Sequence, residues 1–347
     1  MAVRPVLAQP FPSSLTRRTR EIDEALRATV LPEGLLGRMT AYHLGWMEAD
    51  GSPTDHPAGK RIRPALVCWA AEALGGSLEK ALPAACAVEL VHNFTLLHDD
   101  VQDRDRVRRG RPTVWSVWGE AQAINAGDAM AATALATLLG PAGGEPSERL
   151  QRAQAAAALL RAEIEVIEGQ ALDLQHEGRP DTPSQTYLRM VEAKTGALIG
   201  ASLELGAIMA GAASPAQEGL RRAGRLLGVA FQLRDDWLGV WGDPELTGKS
   251  KENDLARRKL TFPVVRAYES AGPGDRDEFL ALYKTRGPEE APRIRRLLER
   301  LGGPDLTAGS AAEAAGRALR EAERSELEET RMEELSDVAR YLAERTS

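Results

Sequence analysis

The chain has 347 residues, 43% hydrophobic and 27% charged, a balance that excludes disordered and fibrous classes. Its formal net charge of -7 excludes a general affinity for nucleic acid, because no global positive field is present to collect phosphates. Alanine accounts for 55 residues and aromatics for only 5%, and since Ala is the best helix former the composition points to an all-α fold.

Residues 1–12 are Pro-rich and read as a flexible arm. Ser13 or Ser14 caps a helix to about residue 30, and Pro32 opens the next. A loop rich in Gly, Pro and Asp follows at Ala49–Ala58. Helical periodicity then runs from Arg61 to Leu74, and one long helix extends from Leu78 to Asp103, apolar until it ends in acid. Arg104–Pro112 is a basic turn. Further helices are expected at about 120–140, 146–177, 184–211, 215–241, 260–270, 274–285, 288–301 and 308–345, with a polar loop at Gly242–Arg258. No alternation is long enough for a strand. The Glu/Arg/Ala-rich last 40 or so residues read as a solvated helical face. Neither a linker nor a repeat interrupts the chain, so residues 13–347 are read as one helical domain.

Two cysteines, Cys68 and Cys86, sit in apolar text with no CxxC, which suits buried thiols in a reduced cytoplasm. The first residues lack the apolar core of a signal peptide, and no uncharged apolar stretch reaches the ~18 residues of a membrane span.

Chemistry concentrates in two acidic clusters. In LLHDDVQDRD, Asp99 and Asp103 are four apart and share a helix face, with Asp100 one step round. Like carboxylates at a helix C-terminus repel one another and oppose the helix dipole. A divalent cation removes both penalties, and hard oxygen ligands with substrate phosphates suit Mg²⁺. A solvated helix end is the bland alternative. In FQLRDDWLGVWGD, Asp235 and Asp236 again close an apolar helix and Asp243 follows in a turn. Two such pairs suggest acidic walls with metals between them, a geometry that clamps a polyphosphate.

Basic groups accompany both clusters: Lys60, Arg61 and Arg63, then Arg108 and Arg109, then Lys194 beside Thr195, then Lys249 and Lys259. Only seven of the 44 basic residues are lysines, so a Lys beside Gly or Thr stands out as a phosphate ligand, although each taken alone is more often a surface charge. No Walker loop is present.

The order GKRIRP, HNFTLLHDDVQD, RRGRPT, KT, FQLRDD, GK and RKLTFP resembles the trans-isoprenyl diphosphate synthases, the polyprenyl synthetase family. The motifs spread from Gly59 to Pro263. The resemblance implies an all-α bundle around a central cavity, usually a homodimer. It implies head-to-tail condensation of an allylic diphosphate with isopentenyl diphosphate. By similarity, Asp99, Asp103 and Asp235 bind Mg²⁺, about three ions per site, with Asp100 and Asp236 in support. Lys60, Arg63, His92 and Arg109 would hold isopentenyl diphosphate. Arg108, Lys194, Thr195, Gln232, Lys249 and Lys259 would hold the allylic diphosphate. Gly239 stands where the family often has the last Asp of DDxxD.

In this family, bulk four and five residues before the first Asp limits product length. Here those are Thr95 and Phe94. A single aromatic, and no insertion in DDVQD, resembles the geranylgeranyl-producing pattern, with farnesyl as the alternative. A class I terpene cyclase would not need Lys60, Arg63, His92 and Arg109, and Asn253 lacks the Ser and Glu of a cyclase metal triad. A non-catalytic regulatory subunit tends to lose one Asp cluster, and both are present.

Overall fold

Helical periodicity becomes helix through most of the chain. The computed structural model describes residues 10–30, 33–54, 56, 59–141, 145–243, 253–284 and 287–346. The helices are α1 (Ser13–Thr16), α2 (Thr19–Thr29), α3 (Gly34–His43), α4 (Ile62–Ala73), α5 (Leu78–Gln102), α6 (Val114–Trp118), α7 (Glu120–Leu139), α8 (Pro146–His176) and α9 (Ser184–Val191). After a five-residue π segment, Glu192–Gly196, come α10 (Ala197–Met209), α11 (Ser214–Trp241), α12 (Asn253–Ala256), α13 (Phe262–Ser270), α14 (Pro273–Lys284), α15 (Ala291–Arg300), α16 (Gly303–Ala322) and α17 (Glu329–Glu344). The all-α expectation holds. Pro32, Ala58 and Lys249 lie outside the described residues.

The departures from expectation are local. The helix expected to residue 30 breaks between α1 and α2, and the one expected at 308–345 divides at a 3₁₀ turn, Glu323–Ser325, after which Glu326 takes a left-handed φ of 51°. The helix expected at 184–211 is interrupted by the π segment that carries Lys194 and Thr195. The basic turn contains a minimal hairpin, β1 (Val107–Arg108) and β2 (Arg111–Pro112), with Arg108 opposite Arg111. Its two turn residues, Arg109 and Gly110, both have positive φ, 52° and 76°, the requirement of a tight two-residue hairpin turn. Two residues per strand leave no alternation to read. Finally, Asp235 and Asp236 do not end their helix: α11 continues to Trp241.

By Cα proximity the chain divides into two compact units, one comprising Ser13–Glu163 and Ala201–Glu218, the other Met1–Pro12, Ile164–Gly200 and Gly219–Ser347. In the first unit α5 is apolar on nearly every face and is correspondingly buried, packed against α4 and α7. Ala84, Ala85 and Ala87 on α5, with Ala123, Ala126 and Ala134 on α7, are all fully buried, so small side chains let these helices approach closely. Larger anchors are Leu66 and Trp69 of α4 and Leu90 and Leu97 of α5, each aliphatic one contributing roughly 1.5–3 kcal/mol on burial. Ser77 caps α5, its hydroxyl accepting from the Lys80 N–H at 3.4 Å.

In the second unit α16 packs on α17 and α13. Leu255, Val264, Phe279, Ile294, Leu297 and Leu298 form a separate buried cluster. Against the π segment, α11 comes to backbone contact. A Cβ on Gly228 would stand 2.5 Å from Gly196 Cα, and one on Gly224 would stand 2.7 Å from Gly200 Cα. Four glycines at two i,i+4 spacings therefore make a seam that no larger residue allows.

Cys68 and Cys86 are buried and unbridged, and burial pushes their thiols up to about 12 and about 11, so both are inert. Among the described residues no helix is long and apolar enough to cross a membrane.

Candidate active site

The first acidic motif occupies the last turn of α5. Asp103 is the helix C-cap, its N–H donating to the Asp99 carbonyl at 2.8 Å, and both residues keep partial exposure. Asp100 points the other way and is 1% exposed. Arg108, on β1, donates from Nε to Asp100 Oδ1 at 2.6 Å. Burial nevertheless pushes the Asp100 carboxyl up to about 6, outweighing the opposing pull of Arg108. Asp100 Oδ2 is buried without a hydrogen-bond partner among the described residues.

The same unit gathers positive charge. Burial, then Arg63, Arg109, Arg108 and His43 in that order, hold the His92 imidazole well below its ordinary range, so it is neutral. Burial also lowers the Arg109 guanidinium, with Arg108 and Arg61 adding like-charge repulsion. Arg109 lies against Gly59, where a Cβ would stand 2.9 Å from its Nη2, so the glycine beside Lys60 makes room for it. Guanidinium groups drawn together in this way are favourable when an anion sits among them. His43, on α3, joins the group. Burial and then Arg109 and Arg108 lower its imidazole to about 3, and its Nε2 is buried without a partner among the described residues.

Neighbouring arginines divide into two kinds. Arg61, 4% exposed, pairs with Glu89 at 2.6 Å and Asp23 at 3.1 Å, and Asn93 donates to the same Glu89 oxygen at 3.0 Å. Arg61 is thus a structural post, while Arg63 acts on His92. Arg111 donates to the carbonyls of Tyr42 (3.0 Å) and Met47 (2.9 Å) and stacks over the Tyr42 ring at 4.2 Å, which pins the hairpin. A cleft lined by Tyr42, His43, Asp100, Arg108, Arg109 and Arg111 results. Sequence reasoning missed His43 and Arg111; the RRGR run signalled only the latter. Phe94 is buried and meets the His98 ring edge-on at 5.3 Å, and Thr95 turns its hydroxyl back to the His92 carbonyl at 2.7 Å.

The second unit builds differently. Asp236, 4% exposed, accepts from the Tyr187 hydroxyl (2.5 Å), the Phe262 N–H (2.9 Å) and Gln232 Nε2 (3.0 Å). Burial still pushes it up to about 7. The Thr195 hydroxyl donates to Gln232 Oε1 at 3.0 Å, so Thr195, Gln232 and Asp236 form one chain of hydrogen bonds. Lys194 Nζ pairs with Asp173 at 2.6 Å. Asp235 keeps partial exposure and pairs with Arg345 at 2.5 Å. Arg345 lies over the Phe231 ring at 4.3 Å, and its carbonyl accepts from Arg234 Nε at 2.6 Å.

Asp173, Tyr187 and Arg345 were also missed from sequence. Asp173 carries a weak signal, a lone acid inside ALDL. Lys259 is partly buried beside Arg258, whose guanidinium is wholly buried and donates to the carbonyls of Leu255 and Leu282, a structural role. Asp243 is exposed beyond the end of α11.

The donor set suits a hard cation: every candidate ligand is a carboxylate. Among the described residues no three His, Cys, Asp or Glu side chains converge on one point. Mg²⁺ commonly takes one or two carboxylates and completes its shell with water and substrate phosphate oxygens, which fits Asp99 with Asp103.

Comparison with known proteins agrees with this chemistry. The sequence model of the polyprenyl synthetase family matches residues 51–301. A (2E,6E)-farnesyl diphosphate synthase of Mycobacterium bovis is 38% identical over 351 aligned residues, covering 97% of this chain and 96% of its own. A geranylgeranyl diphosphate synthase of Mycobacterium tuberculosis is 46% identical over 261 residues, covering 75% of this chain and 73% of its own. A solved structure of a polyprenyl synthetase from Streptomyces coelicolor A3(2) matches with a TM-score of 0.87 at 36% identity, covering 96% of this chain and 99% of that one.

Proposed function

The chain belongs to the polyprenyl synthetase family and is a short-chain trans-prenyl diphosphate synthase, and we propose that its product is geranylgeranyl diphosphate. The substrates are isopentenyl diphosphate and an allylic diphosphate. The observation that carries this reading is the group formed by Arg63, His92, Arg108 and Arg109 beside an acidic helix end. A cyclase, which ionises one diphosphate, has no use for a second anion site.

Lys60, Arg63, His92 and Arg109 hold isopentenyl diphosphate. His92 is neutral, so it donates one hydrogen bond without adding charge to the guanidinium group. Arg108, Lys194, Thr195, Gln232, Lys249 and Lys259 hold the allylic diphosphate. Asp99, Asp103 and Asp235 hold Mg²⁺, three ions in this reading, which neutralises the leaving diphosphate when bound. Asp100 and Asp236 hold their neighbours in place rather than reaching for metal, since both are buried and bonded inward.

Lys194 and Thr195 stabilise charge as the allylic C–O bond breaks and its electron pair leaves with the diphosphate. The double bond of isopentenyl diphosphate then attacks the allylic cation, forming the new C–C bond. A proton leaves the condensed carbon skeleton for the departing diphosphate, and a new double bond results. An apolar, water-poor cavity would protect the cation from quenching. No protein nucleophile takes part. The active species is proposed to be a cytoplasmic homodimer, each chain forming one catalytic domain from residue 13 onward.

Phe94 supports a twenty-carbon product: it is the one aromatic near the motif and is braced by His98. The full-length similarity to a farnesyl synthase favours fifteen carbons as the second reading. Incubation with Mg²⁺, isopentenyl diphosphate and each allylic primer, followed by product sizing, is the test. Twenty carbons is expected; fifteen selects the second reading, and no elongation from any primer overturns the synthase assignment for this chain. Phe94→Ala should lengthen the product by one or more five-carbon units by mass spectrometry, and an unchanged length would remove Phe94 from the floor.

A further inference from the structure

Lys194 and Thr195 do not sit on an ordinary α-helix. They lie in the π segment Glu192–Gly196, between α9 and α10. A π turn breaks the i→i+4 register and widens the helix, so it persists where neighbours hold it, and such turns recur at functional sites.

The tips of the two side chains already have partners, Asp173 for Lys194 and Gln232 for Thr195. The backbone beneath them is held from another side. Arg225, on α11, donates from Nε to Glu192 Oε1 at 2.8 Å, and Glu192 is the first residue of the segment. Through Nη1 the same guanidinium also pairs with Glu165 on α8. The stem of Arg225 runs along the glycine seam. A Cβ on Gly200 would stand 2.7 Å from Arg225 Cγ, and one on Gly196 would stand 2.8 Å from the Arg225 carbonyl oxygen. α8 also meets the segment, at Gly169, where a Cβ would collide with the Lys194 backbone nitrogen. Glu165 and Gly169 are one turn apart on α8, so one helix supplies both the carboxylate for Arg225 and the gap for Lys194.

We propose that Arg225 is a positioning residue: bridging Glu165 and Glu192, it holds the π segment so that Lys194 and Thr195 present to the allylic diphosphate. This rests on the assignment of Lys194 and Thr195 to that substrate. Arg225 touches no reacting atom in this account. It sets where two donors sit, and small displacements of such donors cost much more in binding and rate than in stability. Both ion pairs are partly exposed, with Arg225 at 20%, Glu165 at 32% and Glu192 at 43%. Pairs of that exposure contribute little to folding, so a purely structural role and a positioning role give different readouts.

The test uses the full-length enzyme in three variants: Arg225→Met, Arg225→Lys and Glu192→Gln. Steady-state kinetics varies each substrate in turn, and calorimetry measures binding of inorganic pyrophosphate with Mg²⁺. Arg225→Met should raise the allylic KM and weaken pyrophosphate binding roughly tenfold, while the isopentenyl KM stays within about twofold. Arg225→Lys, which keeps the charge but loses the fork, should recover part of both losses. Glu192→Gln, on the exposed side of the bridge, should show the same direction with a smaller size and provides the answer if Arg225→Met does not fold. An unchanged allylic KM and pyrophosphate affinity would overturn the proposal, whatever happens to Tm. Lys194→Ala separates the two levels. If it leaves both quantities unchanged, the ligand assignment fails and the inference with it; if it shifts them and the Arg225 variants do not, only the inference fails.

Discussion

Asp100 and Asp236 hold the same place in two similar motifs, yet the molecule supports them by different means. Asp100 is secured by one charged partner, Arg108, with its second oxygen unpartnered among the described residues. Asp236 is secured by three uncharged donors from Tyr187, Gln232 and the Phe262 backbone. Their exposed neighbours differ too: Asp235 pairs with Arg345 from beyond the end of α17, whereas Asp99 and Asp103 close the last turn of α5. A repeated DD in sequence therefore does not imply repeated physics. The first motif is tied to the arginines that gather around His92. The second is built into a hydrogen-bond chain that already includes Thr195.

The largest effect that sharpens this contrast lies at the outward carboxylates. Asp99→Asn and Asp235→Asn should each lower kcat/KM by roughly 10²–10³ if, as proposed, each would hold the cation that stabilises the leaving diphosphate. Thermal unfolding adds a second readout at Asp235: Asp235→Asn deprives a buried Arg345 of its carboxylate and should cost about 1–3 kcal/mol. An unchanged Tm would mean that Arg345 does not depend on this carboxylate.

The buried carboxylates come next. Arg108→Met removes the charged partner of Asp100 and should cost about 2 kcal/mol by urea unfolding, below the full cost of breaking a buried pair because Arg108 is itself 29% exposed. Tyr187→Phe removes one of three donors to Asp236 and should cost about 1 kcal/mol. The reverse order would mean that the ion pair is the weaker support.

The smallest effect concerns His43. Its folded pKa, about 3, lies below the ordinary imidazole value near 6.5. The unfolded chain then binds a proton that the folded chain refuses, so the contribution of this group is present above pH ~6.5 and declines as the pH falls toward about 3. At pH ~6 the loss amounts to roughly 0.8 kcal/mol. His43→Gln should flatten that part of the Tm–pH curve, and an unaltered slope would place the titration elsewhere.

Much of this was legible from sequence. The abundance of Ala pointed to close-packed helices, and α5 declared itself by being largely apolar until its acids. What stayed hidden depended on contacts distant along the chain. Arg61 and Arg63 look alike in GKRIRP; only Asp23 and Glu89, 38 and 28 positions away, make the first one structural. Arg345 and Asp235 are 110 residues apart and share no motif. The hairpin at 107–112 has strands too short to alternate, and the π segment has no periodic signature because one widened turn shifts the pattern by a single residue.

The central claim is that each diphosphate has its own set of residues, Arg63 and His92 for one and Lys194 and Thr195 for the other. Substrate KM values for Arg63→Met and Lys194→Met test it most directly. The account predicts opposite splits: Arg63→Met raises the isopentenyl KM at least about tenfold and the allylic KM little, and Lys194→Met does the converse. If both variants raise the same KM, the two sets are one site and the account is wrong.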